Sequence, residues 1–220
     1  MLYVNMPYEQ TLTAITKRIN SALRDVDTAL LLLSGGSNVD AAVAIRRRLE
    51  LGGCQLRVGL VDERFGKLGH ANSNWEQLQR AGFDFRGTLP LPVLVSQASL
   101  GATAKNYATA IDQALDAAAI SIGLFGIGAD GHTAGILPSS PALSADGDVC
   151  AYRAPDFERI TITGRCIKRL DLAMVVAYGA AKHGQIERLG QDIDPQRQPA
   201  QLLKQAGELI VYNDHKGDKH

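Results

Sequence analysis

At 220 residues with an apolar fraction of 45%, the chain has the bulk for one α/β domain with a substantial core. Its 23 basic residues balance 23 acidic ones, which removes any bulk attraction to nucleic acid or an anionic membrane, so affinity for a charged ligand has to be local. No apolar stretch approaches a bilayer span and the amino terminus lacks the basic and apolar regions of a signal peptide, so a cytoplasmic protein is expected.

In chain order, Leu12, Ile15, Ile19 and Leu23 recur at helical spacing and predict an amphipathic first helix. Ala29–Leu33 is a short continuous apolar run stopped by Ser34-Gly35-Gly36, the pattern of a buried parallel strand. A helix is predicted over Val39–Leu51, closed by Gly52-Gly53, and a second strand over Leu56–Val61. Asp62, Glu63 and Arg64 follow at that strand's carboxyl end. Asn72–Asn74 supplies a helix cap ahead of Trp75 and Leu78. Pro90 and Pro92 lead to a predicted short strand, Val93–Val95, then a long helix over Ala102–Ala118 whose inner face is Tyr107, Ile111, Ala114 and Leu115.

Ile120–Phe125 is a strand that feeds the loop Gly126–Gly135, which holds four glycines around Asp130 and His132. Beyond Pro138 the chain is loop-like, extended near Val149–Tyr152, and alternates as a strand around Ile160 and Ile162. Leu172–Tyr178 is another strand, Ala180–Leu189 a helix carrying Lys182, and Leu209–Tyr212 a last strand. Residues 1–213 are read as a single domain and 214–220 as a frayed tail. Cys54, Cys150 and Cys166 have neither metal-ligand spacing nor an even count, and are read as small buried hydrophobes. Arg46-Arg47-Arg48 is read as a solvated helix face.

Alternating strands and helices predict a mostly parallel sheet with helices on both faces. Its strand ends then gather the chemistry-bearing residues along one edge. Ser34-Gly35-Gly36-Ser37-Asn38 is a glycine-rich turn opening a helix, a place where free amides favour phosphate. It lacks both the dinucleotide and the nucleoside-triphosphatase glycine patterns, which favours a mononucleotide or sugar phosphate. Lys182 in the first turn of its helix is badly placed for the helix dipole unless an anion is bound there; otherwise it is a surface lysine reaching solvent. His132 is a candidate base, with a structural histidine bonded to a loop carbonyl as the bland alternative. Of Asp62, Glu63 and Arg64, at most two can face the site, and Arg64 has the planar fork suited to an anion.

These segments together resemble the 6-phosphogluconolactonase family, within the larger group of sugar-phosphate isomerases and deaminases. The resemblance runs through Leu33–Ser37, Val61–Arg64, Ser73-Asn74, Gly126–Ala134, Arg159–Thr163, and Gly179 with Lys182. It implies a modified Rossmann-like fold of the isomerase and lactonase type. It also implies hydrolysis of 6-phospho-D-glucono-1,5-lactone in the oxidative pentose phosphate pathway, without metal or organic cofactor, by a monomer or small homo-oligomer. His132 would then be the catalytic base, with Asp130 orienting it and Arg64 assisting. Ser34, Gly35, Gly36, Ser37, Arg159 and Lys182 would bind the substrate and its phosphate. The family's Thr-Pro after the turn serine is Asn38-Val39 here.

Two alternatives share this fold. Amino-sugar phosphate deaminases continue the histidine loop into Phe-Asn-Glu-Pro, where this chain has Gly135-Ile136-Leu137-Pro138, and they place tyrosine where Arg64 stands. A sugar-phosphate sensor would have no need of His132.

Overall fold

The computed structural model describes residues 1–215, so the predicted tail lies outside the described residues from position 216 onward. In chain order the elements are β1 (Leu2–Asn5), α1 (Tyr8–Leu23), β2 (Thr28–Leu33), α2 (Val39–Arg46), β3 (Gln55–Leu60), β4 (Asp62–Arg64), α3 (Asn74–Arg80), β5 (Leu89–Pro90), α4 (Leu100–Ala117), β6 (Ile120–Phe125), β7 (Val149–Arg153), β8 (Glu158–Ile162), α5 (Gly164–Lys168), β9 (Leu172–Ala177), α6 (Ala180–Leu189) and β10 (Glu208–Asn213).

Seven strands form one parallel sheet in the order β1-β10-β9-β6-β2-β3-β5. Its central strands are continuous apolar runs because both of their faces are covered. Right-handed crossovers place α1, α2 and α3 on one face and α4, α5 and α6 on the other. The packing of α1 on α2 and of α2 on α3 agrees with this. Among the described residues, no helix is long and apolar enough to cross a membrane.

A second, antiparallel sheet in the order β4-β8-β7 rises from the carboxyl edge of the first. Val61 is the seam. Its N–H donates to Leu33 in the large sheet (2.9 Å), and its carbonyl accepts from Ile162 in the small one (2.9 Å). The charged triplet after β3 is therefore itself a strand.

Two predicted elements and the basic triplet differ from expectation. The helix over Val39–Leu51 stops at Arg46, where the amides of Arg48 and Leu49 shift to acceptors three residues back. The Arg46 side chain is held by the carbonyls of Asp84 (2.5 Å) and Arg86 (2.6 Å), so only Arg47 and Arg48 of the basic triplet are solvated. The strand expected at Val93–Val95 is instead the two-residue β5. Leu60's N–H and carbonyl, which would carry the ladder onward, are both taken by the Tyr107 hydroxyl (2.8 and 2.6 Å). Val93 and Leu94 are buried as irregular chain, and Pro90 sits on the sheet edge, where a missing N–H is tolerated.

Two further readings need correction. Asp214 and His215, expected to fray, are engaged: Asp214 accepts from the Gly179 amide (3.1 Å) and bonds to His183 (2.9 Å), while the His215 amide donates to Asn213 Oδ1 (2.9 Å) and its carbonyl accepts from Asn5 (2.6 Å). Cys54 and Cys166 are buried as expected, but Cys150 on β7 is only half-buried.

Candidate active site

The chain leaves β2 toward β3 and leaves β6 toward β9, so these neighbouring strands form the switch point where a crevice opens at the carboxyl ends. The turn after β2 is tied to β6 by the Ser34 amide on the Leu124 carbonyl (3.1 Å). Gly35 lies against Asn74, and a Cβ there would fall 2.1 Å from Oδ1, so no other residue fits. Gly36 takes φ +60°, and the 3₁₀ turn of Gly36–Asn38 opens α2. Asn38, the departure from the family pattern, is 1% exposed. Its Nδ2 donates to Ser34 Oγ (3.1 Å), which braces the turn, and stands 3.1 Å from where a Gly126 Cβ would be, so it packs against the start of the glycine loop.

The glycine loop is folded around the histidine. A Cβ on Gly128 would lie 2.1 Å from His132 Nδ1, so the missing side chain makes room for the ring. The Gly128 amide donates to the His132 carbonyl (2.9 Å), Gly131 turns at φ +86°, and Thr133 Oγ1 donates to the Gly126 carbonyl (2.8 Å). From α6, Gln185 Nε2 braces the loop at the Ala129 carbonyl (3.0 Å).

His132 Nδ1 is 2.5 Å from Asp130 Oδ1, which also accepts the His132 amide at 3.1 Å. Burial acts to raise the Asp130 carboxyl, but the hydrogen bonds and charge of His132 outweigh it and hold the carboxyl below its ordinary range. Because a carboxylate accepts, Nδ1 carries the proton of the neutral ring and Nε2 keeps its lone pair. The imidazole is 40% exposed and open to the cleft.

The opposite wall comes from the small sheet, where strand alternation sorts the charged triplet. Glu63 points away from the cleft and accepts from Ser73 Oγ and from the amides of Arg64, Asn74 and Trp75, at 2.7–3.1 Å. It anchors the start of α3, where Ser73 is the N-cap. Asp62 faces the cleft beneath Gly135. Burial pushes its carboxyl up, while Arg159, Arg64 and His132 pull it down.

Arg64 sits directly opposite Arg159 in the β4–β8 pairing, a like-charge juxtaposition that is unfavourable without an anion between or beside them. Both guanidinium groups lie over the Phe157 ring, 5.1 and 5.9 Å from its centre. Arg159, 8% exposed, donates to Asp156 (2.7 Å) and lies 3.6 Å from Asp62. The Nε atoms of both arginines are buried without an acceptor.

Lys182 completes the ring. It occupies the first turn of α6, its Nζ donates to Ser37 Oγ (3.2 Å), and burial lowers its pKa against the pull of Asp214.

The resulting cleft has a volume of about 340 Å³. Ser34, Gly35, Gly36, Ser37, Arg64, His132, Arg159 and Lys182 all line it, so the structure brings together every residue picked from the sequence except Asp130, which stands behind the imidazole. Asp62, one of the two acids of the charged triplet, lines it too, as do Asn74 and Asp156, for which the sequence predicts no place in the site. Asn74 enters the sequence reading as part of a helix cap and of the family resemblance, without a role in the site, and nothing in the sequence around Asp156 distinguishes it from an ordinary loop acid. Among the described residues, no group of His, Cys, Asp or Glu side chains could hold a metal ion.

Comparison with known proteins places this geometry. A Synechocystis protein named 6-phosphogluconolactonase is 27% identical over 222 residues, covering 96% of this chain and 92% of its own. A Pseudomonas aeruginosa protein of the same name is 26% identical, over 87% and 84% of the two chains. Among solved structures, a 6-phosphogluconolactonase from Shewanella baltica matches with a TM-score of 0.78 at 19% identity, over 96% of both chains. A monomeric glucosamine-6-phosphate deaminase matches as well, with a TM-score of 0.79 at 17% identity over 98% of both. The fold alone therefore does not separate the two activities. The family pattern described as glucosamine-6-phosphate isomerases/6-phosphogluconolactonase matches residues 6–211, a span that includes both walls of the cleft, and the chain belongs to that family.

Proposed function

We propose that this protein hydrolyses 6-phospho-D-glucono-1,5-lactone to 6-phospho-D-gluconate, the lactonase step of the oxidative pentose phosphate pathway. One observation carries the reading. A histidine whose Nδ1 is committed to Asp130 opens its other nitrogen onto a cleft that also holds Arg64, Arg159 and Lys182.

In this mechanism Nε2 of His132 takes a proton from water as its oxygen attacks C1. The C1–O ring bond then breaks, and the ring oxygen leaves with the proton returned by the imidazolium. The carboxylic acid product ionises to solvent. General base assistance of this kind is worth about 10²–10⁴-fold. Arg64 offers charge to the oxyanion at C1, each such donor typically contributing about 10²–10³-fold. The 6-phosphate is a remote handle whose binding positions C1. We assign it to the Ser34–Ser37 turn with Lys182 and Arg159.

The proposal takes residues 1–213 as one catalytic domain, because both sheets supply walls of the same cleft. It places the protein in the cytoplasm, as a monomer or small homo-oligomer acting on a small sugar phosphate.

A deaminase of the same fold is the competing reading. Against it, Leu137 stands before Pro138 where a ring-opening acid would be needed. The deciding experiment is a dehydrogenase-coupled assay with freshly generated lactone, corrected for spontaneous hydrolysis, run beside glucosamine 6-phosphate. Turnover of the lactone alone is expected. Ammonia release from the amino sugar without lactone turnover would reverse the assignment.

A further inference from the structure

Arg159 already has an anion on it before any ligand arrives. A guanidinium presents Nε and Nη2 side by side as a pair suited to two oxygens of one carboxylate or phosphate. In Arg159 that pair is half used: Nη2 donates to Asp156 Oδ2 (2.7 Å), while Nε is buried with no acceptor. Asp156, three residues away on the β7–β8 hairpin, makes one contact to this pair where two are on offer, its Oδ1 accepting instead from the Phe157 amide (2.9 Å). The other carboxylate near this group, Asp62, lies 3.6 Å from Nη1.

The two acids differ in freedom. The Asp62 side chain is 10% exposed and wedged beneath Gly135, whereas that of Asp156 is 51% exposed at the hairpin tip and lines the cleft. The first is a fixture, whereas the second is held at the solvent-exposed tip by Arg159 and by the Phe157 amide, which donates to its Oδ1.

We infer that Asp156 is a displaceable counter-anion: a ligand phosphate that engages Arg159 through Nε and Nη2 takes the place of the Asp156 carboxylate. Asp156 thereby weakens anion binding in the cleft. This rests on reading the cleft as an anion site, and it deepens the proposed function in one respect. Hydrolysis of a neutral lactone ring creates a carboxylate, so the product carries one more negative charge than the substrate. A resident competitor for Arg159 limits how tightly that product is held.

The test is calorimetric titration of the whole protein with inorganic phosphate, and separately with 6-phosphogluconate, for the parent, Asp156→Asn, Arg159→Gln and the double variant. Asp156→Asn should bind both anions roughly 2- to 5-fold tighter, the range expected for releasing a part-exposed ion pair. The gain should vanish in the Arg159→Gln background. Unchanged or weaker binding by Asp156→Asn would overturn the inference and make Asp156 a residue that merely holds Arg159 in place. A gain of equal size without Arg159 would also overturn it, by showing a general charge effect. Because binding is read directly, these outcomes stand apart from lactone turnover, and failure of the lactonase reading would leave them intact.

Discussion

The two walls of the cleft are built on different principles. On the large-sheet side, connections after β2 and β6 form the wall, and glycines at 35 and 128 let neighbouring side chains approach where a Cβ would intrude. On the small-sheet side such crowding is confined to Asp62, which a Cβ on Gly135 would meet at 2.7 Å. Strand alternation alone turns Asp62 and Arg64 into the cleft and Glu63 out of it, and the β4–β8 pairing sets Arg64 against Arg159. The first wall is specified by what is absent from the sequence, and the second by which way each residue points. A substitution on the first should therefore disturb its neighbours, whereas one on the second should remove a single group.

The largest effect is expected at the imidazole. His132→Ala should lower kcat for the lactone by at least about 10²-fold while leaving affinity for 6-phosphogluconate largely intact. Near-normal turnover would remove the histidine from the mechanism. Gly128→Ala tests the wall by crowding, since the added Cβ would fall 2.1 Å from Nδ1 and push the ring off its position. Its kcat should fall roughly 10- to 10²-fold with His132 still present, because misplacing a reacting group by about 1 Å is enough for such a loss. Equal rates for variant and parent would show that the loop has room to spare.

Glu63→Gln tests the second wall where it is structural. Replacing a buried carboxylate that accepts four hydrogen bonds should destabilise the fold by about 1–3 kcal/mol in urea unfolding. Its kcat at low temperature should stay close to the parent's, and a collapse in kcat without lost stability would mean that Glu63 reaches the chemistry.

Lys182 stands between the walls, bonded to Ser37. Lys182→Ala should raise KM about 5- to 10-fold with little change in kcat, as loss of a charge-assisted contact to a remote handle requires. An unchanged KM would move the phosphate elsewhere. The smallest effect concerns Asp130, whose carboxyl is held below its ordinary range in the folded protein. The stability it contributes is present above its unfolded value and is lost as pH falls through the folded one. That side chain is half-exposed, so Asp130→Asn should lower Tm only slightly near neutrality and not at all well below the folded value. A lower Tm persisting at acid pH would point to a packing role.

Much of the fold was legible because buried parallel strands leave a strong signal. Ile120–Phe125 and Ala180–Leu189 coincide with β6 and α6, and the apolar run at Ala29–Leu33 differs from β2 by one residue. What escaped was weakly patterned or overridden from afar. β1 is a largely exposed edge strand without alternation, and α5 is only five residues long. The end of the β3–β5 ladder is set by Tyr107, which lies 47 residues from Leu60. The site followed the same division. His132, Lys182 and the serine turn announced themselves by sitting at strand ends beside glycines. Asp156 did not, and Asn38 stood out only as a departure from the family pattern, because an acid in a hairpin and an amide in a turn acquire meaning only from what stands opposite them.

The sequence by itself determined the order of strands and helices, the edge at which chemistry would gather, and the residue types available there, since hydrophobic period and glycine placement act over a few neighbouring positions. Tertiary structure alone decided which of two adjacent acids enters the cleft, that two arginines confront each other over Phe157, and that one of them already carries a carboxylate. Those outcomes depend on strand register and on contacts across the chain, which local pattern does not encode.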